Sequence, residues 1–142
     1  MPAEVESSTV ENFYRAIAER NQERIVPFFD DDAVWTYSGP PDLLPFCGQY
    51  RGKAAVSEVY RRIYDFIDIN NFTMPFLVVN GDQSAAMICL RGRLIKSDRT
   101  VTARCAHFMR WRANRIVAFH GVLDSLDHVE QVLGHELVPP AA

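Results

Sequence analysis

No stretch of the 142-residue chain is apolar for long enough to span a bilayer, although 48% of its residues are hydrophobic. No basic segment followed by a cleavable apolar run opens it, so neither a secretory leader nor a membrane partner is expected. Cysteine is scarce. Cys47, Cys89 and Cys105 are odd in number and lack metal-ligand spacing, which argues against a disulfide framework and a metal site. Such usage fits the reducing cytoplasm. Positive charge is not in excess: 15 Lys and Arg face 18 Asp and Glu, for a net charge of −3. Mixed signs of that kind argue against a nucleic-acid partner. Internal repeats and linkers are also missing, so one domain is expected over residues 1–142, long enough to bury a core.

What is present begins with helical patterns. Ser8, Thr9, Val10 and Glu11 fit a capping box, and Val10, Phe13, Tyr14 and Ile17 then share one helical face. Asn21 can cap a second short helix that Pro27 should bend or shorten. The segment FFDDDAVWTY follows. Asp30, Asp31 and Asp32 cannot be buried unpaired and mark a solvated helix exit, whereas Val34, Trp35, Thr36 and Tyr37 alternate like a strand. Prolines and glycines between Ser38 and Tyr50 predict a loop. Gly52 opens a third helix with Val56, Val59, Tyr60, Ile63 and Ile67 on one face. Beyond Phe72 the pattern is that of strands through Val122. Asp124 or Ser125 caps a closing helix with Leu126, Val129 and Leu133 inward, and the tail Val138–Ala142 is expected to fray. Helices first and antiparallel strands after is an α+β order.

Two turns give a register. A two-residue hairpin at Ala113–Asn114 pairs Arg112 with Arg115 and therefore His107 with His120. A like turn at Ser97–Asp98 pairs Arg91 with Arg104. Strand alternation then places Met87, Cys89, Arg91, Arg104, Ala106, Phe108, Phe119, Gly121 and Leu123 on one face. Ile88, Leu90, Cys105, His107, Met109, Trp111, Ala118, His120 and Val122 fall on the other. Both faces are too apolar to lie open to water. Cys89 and Cys105 lie on opposite faces, which again argues against a disulfide.

The helix, helix, FFDDDAVWTY order and the strand TVTARCAHFMRW resemble the ketosteroid isomerases, while LPFCGQYRGKAAV is similar to a loop-to-helix signature of SnoaL-like proteins. Both belong to the nuclear-transport-factor-2-like (NTF2-like) superfamily. The resemblance implies a cone: N-terminal helices packed on a strongly curved, mainly antiparallel sheet, with a ligand pocket on the concave face. It also implies a homodimer through the convex face, here expected to include His107, Met109 and Trp111. The isomerase machinery does not carry over residue by residue. Its general-base position falls on Tyr37, its oxyanion-hole tyrosine on Phe13 with Tyr14 one place off, and its protonated acid on Ala106.

Two function classes follow. One is a cofactor-independent isomerase, polyketide cyclase or dehydratase-type lyase acting on a small cyclic or aromatic carbonyl compound. The other is a non-catalytic dimeric module that binds a small ligand or a protein in the same cone. Tyr37, His107, His120 and Asp124 are the candidates for chemistry. His107 and His120 are bases near neutral pH or else interface and core histidines. Asp124 lies about 13 Å along the strand from His120, too far for a direct dyad, and serves as a helix cap or as the acid that SnoaL-like cyclases use in this region. Arg91 and Arg104 either clamp an anionic ligand between two guanidinium groups or pair with acids at the rim. Tyr14, Trp35 and Phe119 complete the candidate ligand-binding set. No cofactor and no metal ligand is expected.

Overall fold

The computed structural model describes residues 4–137, so the tail Val138–Ala142 lies outside the described residues. Helix α1 (Ser7–Ala18) buries Val10, Phe13, Tyr14 and Ile17, the stripe its spacing predicts. The capping box does not form. The helix starts at Ser7 with Glu6 in the cap position, so Ser8 already lies in the first turn, and its hydroxyl donates to the Glu6 carboxylate at 3.4 Å. Asn21 does cap α2 (Gln22–Ile25), accepting from the Arg24 N–H at 3.3 Å. Pro27 ends that helix in a single 3₁₀ turn over Val26–Phe28.

Strand β1 (Phe29–Ser38) starts earlier than its alternating run indicates, because the three aspartates belong to it. They are not a helix exit. Its pairing breaks between Phe29 and Val34, and in that irregular stretch Asp31 meets Lys53 at 3.3 Å and Asp30 meets Arg112 at 3.4 Å. The following loop yields a short strand, β2 (Gly48–Arg51), that pairs with β1. Gly52, at φ 88°, takes a conformation that L side chains rarely adopt and caps α3 (Lys53–Phe66). Strand structure then begins at Ile67, not beyond Phe72: β3 (Ile67–Asn80), β4 (Gln83–Leu94), β5 (Thr100–Arg112) and β6 (Arg115–Leu123). Helix α4 (Ser125–Leu133) follows, with Asp124 in its cap position.

The six strands form one curved, unclosed sheet in the order β2-β1-β6-β5-β4-β3, antiparallel throughout except for the parallel β1–β6 pair. This is the α+β cone that the resemblance implied. Between helices and sheet lies an aromatic core. Phe13 meets Phe29 and Trp111 edge-on at 5.7 and 6.2 Å, and Trp35 stacks on Phe119 at 5.2 Å. Each such buried ring contributes about 1.5–3 kcal/mol by transfer alone.

The register differs from expectation in two places. At the Ala113–Asn114 hairpin both residues have positive φ and the tip pairs as expected, Arg112 with Arg115. Val117 is then an extra, unpaired residue, a β-bulge, and beyond it His107 pairs with Gly121 and Phe108 with His120. One inserted residue therefore puts His107 and His120 on opposite faces. At the other turn the loop is longer than two residues, closed by the Leu94 N–H donating to the Arg99 carbonyl at 2.9 Å. Arg91 consequently pairs with Thr102, and Arg104 with Cys89.

The assignment of faces is corrected as well. On β4 and β5 the helix-covered face is the one with Ile88, Cys105, His107, Met109 and Trp111, all buried within this chain. His107, Met109 and Trp111, expected at the dimer face, therefore cannot form it. Met87, Arg91, Arg104, Phe108 and His120 point outward. Cys89 and Cys105 do lie on opposite faces, and all three cysteines are free.

Candidate active site

Three elements bring one polar cluster together beneath the helices. Tyr14 comes from the buried stripe of α1, Tyr37 from the inner face of β1 and His107 from the inner face of β5. Gly121, opposite His107 on β6, makes this possible: a Cβ there would overlap the Tyr37 ring. The Tyr14 hydroxyl lies 3.2 Å from His107 Nδ1 and the Tyr37 hydroxyl 3.2 Å from Nε2. His107 also lies against Phe119, ring centres 4.7 Å apart.

No charged side chain compensates this imidazole, which is only 7% exposed. Burial pulls its pKa down to about 3, so the ring is neutral at physiological pH. Burial likewise pushes the Tyr14 and Tyr37 hydroxyls above their ordinary range, so both stay protonated. A neutral imidazole has one donor and one acceptor nitrogen, so one tyrosine donates to it and the other accepts from it.

A cavity of about 80 Å³ opens beside the cluster. Its walls include Trp35, Tyr37, Phe72, Leu90, Cys105 and Phe119, with His107 and His128, and no Asp, Glu, Lys or Arg lines it. The volume is about half that of a cavity of roughly 150 Å³ that takes up one benzene, so a ring must displace wall side chains to enter. Tyr60 accepts from the Trp35 indole at 3.3 Å, and Tyr64 donates to the Ile17 carbonyl at 3.3 Å.

The structure thus gathers Trp35, Tyr37, His107 and Phe119 around one space, with Tyr14 bonded behind His107. It leaves the other four candidates outside. Arg104 is 73% exposed at its side chain and pairs with Asp124 at 3.6 Å across the rim. Arg91 is exposed on the outer face, where His120 bonds to the Ser38 hydroxyl at 3.1 Å. Tyr14 and His107 each stand one residue beyond the positions aligned with the isomerases, Phe13 and Ala106. His128 escaped the sequence reading altogether. Leu126, assigned to the inner face of α4, is exposed, Val129 is buried as expected, and His128 is buried beside it. The i, i+4 spacing of His128 and Val132 was the available signal. Among the described residues, no three His, Cys, Asp or Glu side chains cluster to hold a metal ion. No described helix is long and apolar enough to cross a membrane.

Comparisons with known proteins agree with this fold. No curated protein matches the sequence. A "Putative Isomerase" from Rhodopseudomonas palustris is 32% identical, with a TM-score of 0.80 over 89% of this chain and 93% of that one. Another structure so described, from Bacillus subtilis, is 18% identical, with a TM-score of 0.73 over 93% and 94%. TerC, co-crystallised with polyporic acid, is 15% identical, with a TM-score of 0.75 over 89% and 96%. The SnoaL-like domain family matches residues 10–119. With that match over most of its length and the NTF2-like cone of its structural neighbours, the chain belongs to the SnoaL-like domain family.

Proposed function

We propose that this protein is a cofactor-independent isomerase or cyclase that moves a proton next to the carbonyl of a neutral, ring-bearing compound. The observation that carries this reading is His107, held between two tyrosine hydroxyls at the wall of an apolar cavity. In the resting site Tyr37 donates to Nε2, and Nδ1–H donates to Tyr14. When a ketone enters, Tyr37 turns its O–H to the carbonyl oxygen and frees the Nε2 lone pair. The C–H bond beside the carbonyl breaks, its proton forms the new N–H at Nε2, and the electron pair passes to the oxygen as an enolate. Return of the proton to a different carbon completes an isomerisation, and attack of the enolate on a second carbonyl closes a ring.

Without an anionic neighbour an imidazolium is disfavoured because its charge would stand alone. An enolate beside it supplies the missing counter-charge in a site of low dielectric, so the same burial that weakens the base at rest strengthens the ion pair. Tyr14 orients the base, the role of the third group in nucleophile–base systems. With Arg91 and Arg104 outside the cavity, the ligand class shifts from anionic to neutral. The putative-isomerase relative supports the reaction class, and TerC's polyporic acid is an example of a ligand of a neighbouring protein.

Proton–deuterium exchange at the α-carbons of cyclohexanone in D₂O, followed by NMR, tests this without knowledge of the natural substrate. The protein should accelerate exchange over buffer. Tyr37→Phe should cut the acceleration by about 10²–10³, the usual cost of one oxyanion donor. His107→Gln should cut it by about 10²–10⁴. Wild-type exchange no faster than buffer overturns the enzyme reading, and binding without exchange favours the non-catalytic carrier.

For the assembly we propose a homodimer through the outer face. Phe76 stands opposite Met87, and Val78, Ala85 and Phe108 form the adjoining row. Phe76 is 59% and Phe108 53% exposed, a contiguous apolar surface of the kind monomers rarely leave open. A monomer mass in light scattering at micromolar concentration defeats this, and Phe108→Glu should dissociate the pair. The three free cysteines support the reducing cytoplasm as the compartment.

A further inference from the structure

At the cavity wall Tyr37, His107, Tyr60 and Tyr64 all have hydrogen-bond partners. His128 is the exception at one of its two ring nitrogens. It lines the same cavity and is 3% exposed, yet its Nδ1 has no partner. Among the described residues it is the one buried side-chain nitrogen or oxygen so left. An unpaired buried nitrogen destabilises a fold, and an apolar side chain of similar shape would remove that cost.

The helix that carries it is fixed in place. Pairing of β5 with β6 starts at Cys105, so Thr102 has no strand partner on that side. Gln131 of α4 replaces the strand: the Thr102 N–H donates to its Oε1 at 2.7 Å, and its Nε2 donates to the Thr102 carbonyl at 2.9 Å. Arg99 donates to the carbonyls of Gln131 and Val132 at 3.0 and 2.8 Å, holding the end of the helix. His128 is therefore held at the wall with part of its hydrogen-bonding capacity unused. Phe46 stands between it and the catalytic cluster, 5.4 Å from the Tyr37 ring and 6.3 Å from the His128 ring.

We propose that His128 is a second ligand anchor, binding a hydroxyl on the side of the ring away from the carbonyl held by Tyr37. This rests on the carbonyl reading above and narrows the substrate class to hydroxylated ring ketones. Burial disfavours the charged imidazole. A neutral imidazole both donates and accepts, and so matches a hydroxyl better than it matches a carboxylate.

The test compares cyclohexanone with its derivatives that carry a hydroxyl or hydroxymethyl group on the ring carbon opposite the carbonyl, which cover two spans. Wild-type protein should bind the better derivative at least about tenfold more tightly than cyclohexanone, the worth of one good hydrogen bond. His128→Leu should bring that ratio close to one and raise the melting temperature, whereas His128→Asn should keep part of the preference. No preference in the wild type, or a preference that survives His128→Leu, overturns the proposal. Preference lost in the leucine variant supports the anchor even where α-exchange is absent, a result that defeats the proton-shift reading alone. Failure of every compound to bind defeats both. Should the leucine variant not fold, the imidazole nitrogen NMR signals of His128 in the wild type decide: they should move with the hydroxylated ligand and not with cyclohexanone. Unmoved signals overturn the anchor.

Discussion

His107 and His120 stand on neighbouring strands, one pairing step apart, in opposite environments. His107 faces the helices, bonded to two tyrosines among aromatic rings. His120 faces outward beside Phe108 and bonds to Ser38 near the surface. The side chain is the same in both. What separates them is one bulged residue, Val117, and the layer of helices above one face only. The state of an imidazole here is a property of the face, because only the inner face removes water and so disfavours its charge.

The largest effect should come from putting a carboxylate on each side. His107→Asp buries an unpaired charge and should cost about 3–5 kcal/mol or prevent folding. His120→Asp should stay within about 0.5 kcal/mol. Urea unfolding of the two variants measures the contrast, and equal losses would break it.

Acid should sharpen the comparison next. The folded pKa of His107, about 3, lies below its ordinary value of 6.5. Above pH 6.5 both states are neutral there and stability is complete. Between 6.5 and 3 the unfolded chain binds a proton that the folded one refuses, so stability falls with acid by up to about 1.4 kcal/mol per pH unit. His128, also lowered by burial, adds to this slope. From pH 6.5 to 5, before carboxylates of ordinary pKa titrate, His107→Gln should make the dependence shallower, leaving the part that His128 contributes. A wild-type stability flat across that window would contradict a neutral buried His107.

The α+β order was legible in local signals, namely the α1 stripe, Asn21, Pro27 and the Ala113–Asn114 hairpin, and the cone through the family resemblance. The site was legible only in part. Trp35, Tyr37 and Phe119 follow from alternation along β1 and β6, and Tyr14 from the periodicity of α1. His107 was assigned to the wrong face because the isomerase resemblance aligned the inward position with Ala106, one residue short, and because Val117 resets the pairing with β6; a bulge of one β-branched residue carries no mark in composition. Apolar content could not arbitrate either, since both faces carry large hydrophobic side chains. Charge could have done so: Arg104, Arg110 and Arg112 share one parity along β5, while Cys105, His107, Met109 and Trp111 share the other. Three guanidinium groups identify the wetter face more surely than Phe108 and Met87 identify a drier one. Arg91 and Arg104 were set opposite each other by assuming a two-residue turn, and the longer loop separated them.

The smallest effect is expected from the arginines. Arg104 and Asp124 approach to 3.6 Å with side chains 73% and 48% exposed, so water screens the pair and ordering two side chains offsets most of its attraction. Arg104→Met should change stability by no more than about 0.5 kcal/mol, with added salt narrowing the difference. Joined with Arg91→Met, it should leave the affinity for cyclohexanone and the rate of α-exchange as they are, since neither guanidinium lines the cavity. Calorimetry with a ketone and an aromatic carboxylate of similar size separates the possibilities. If the double variant loses affinity for the carboxylate alone, the outer face holds an anion site of its own. If it loses the ketone, the two faces are coupled through the sheet, and the division of labour between them fails.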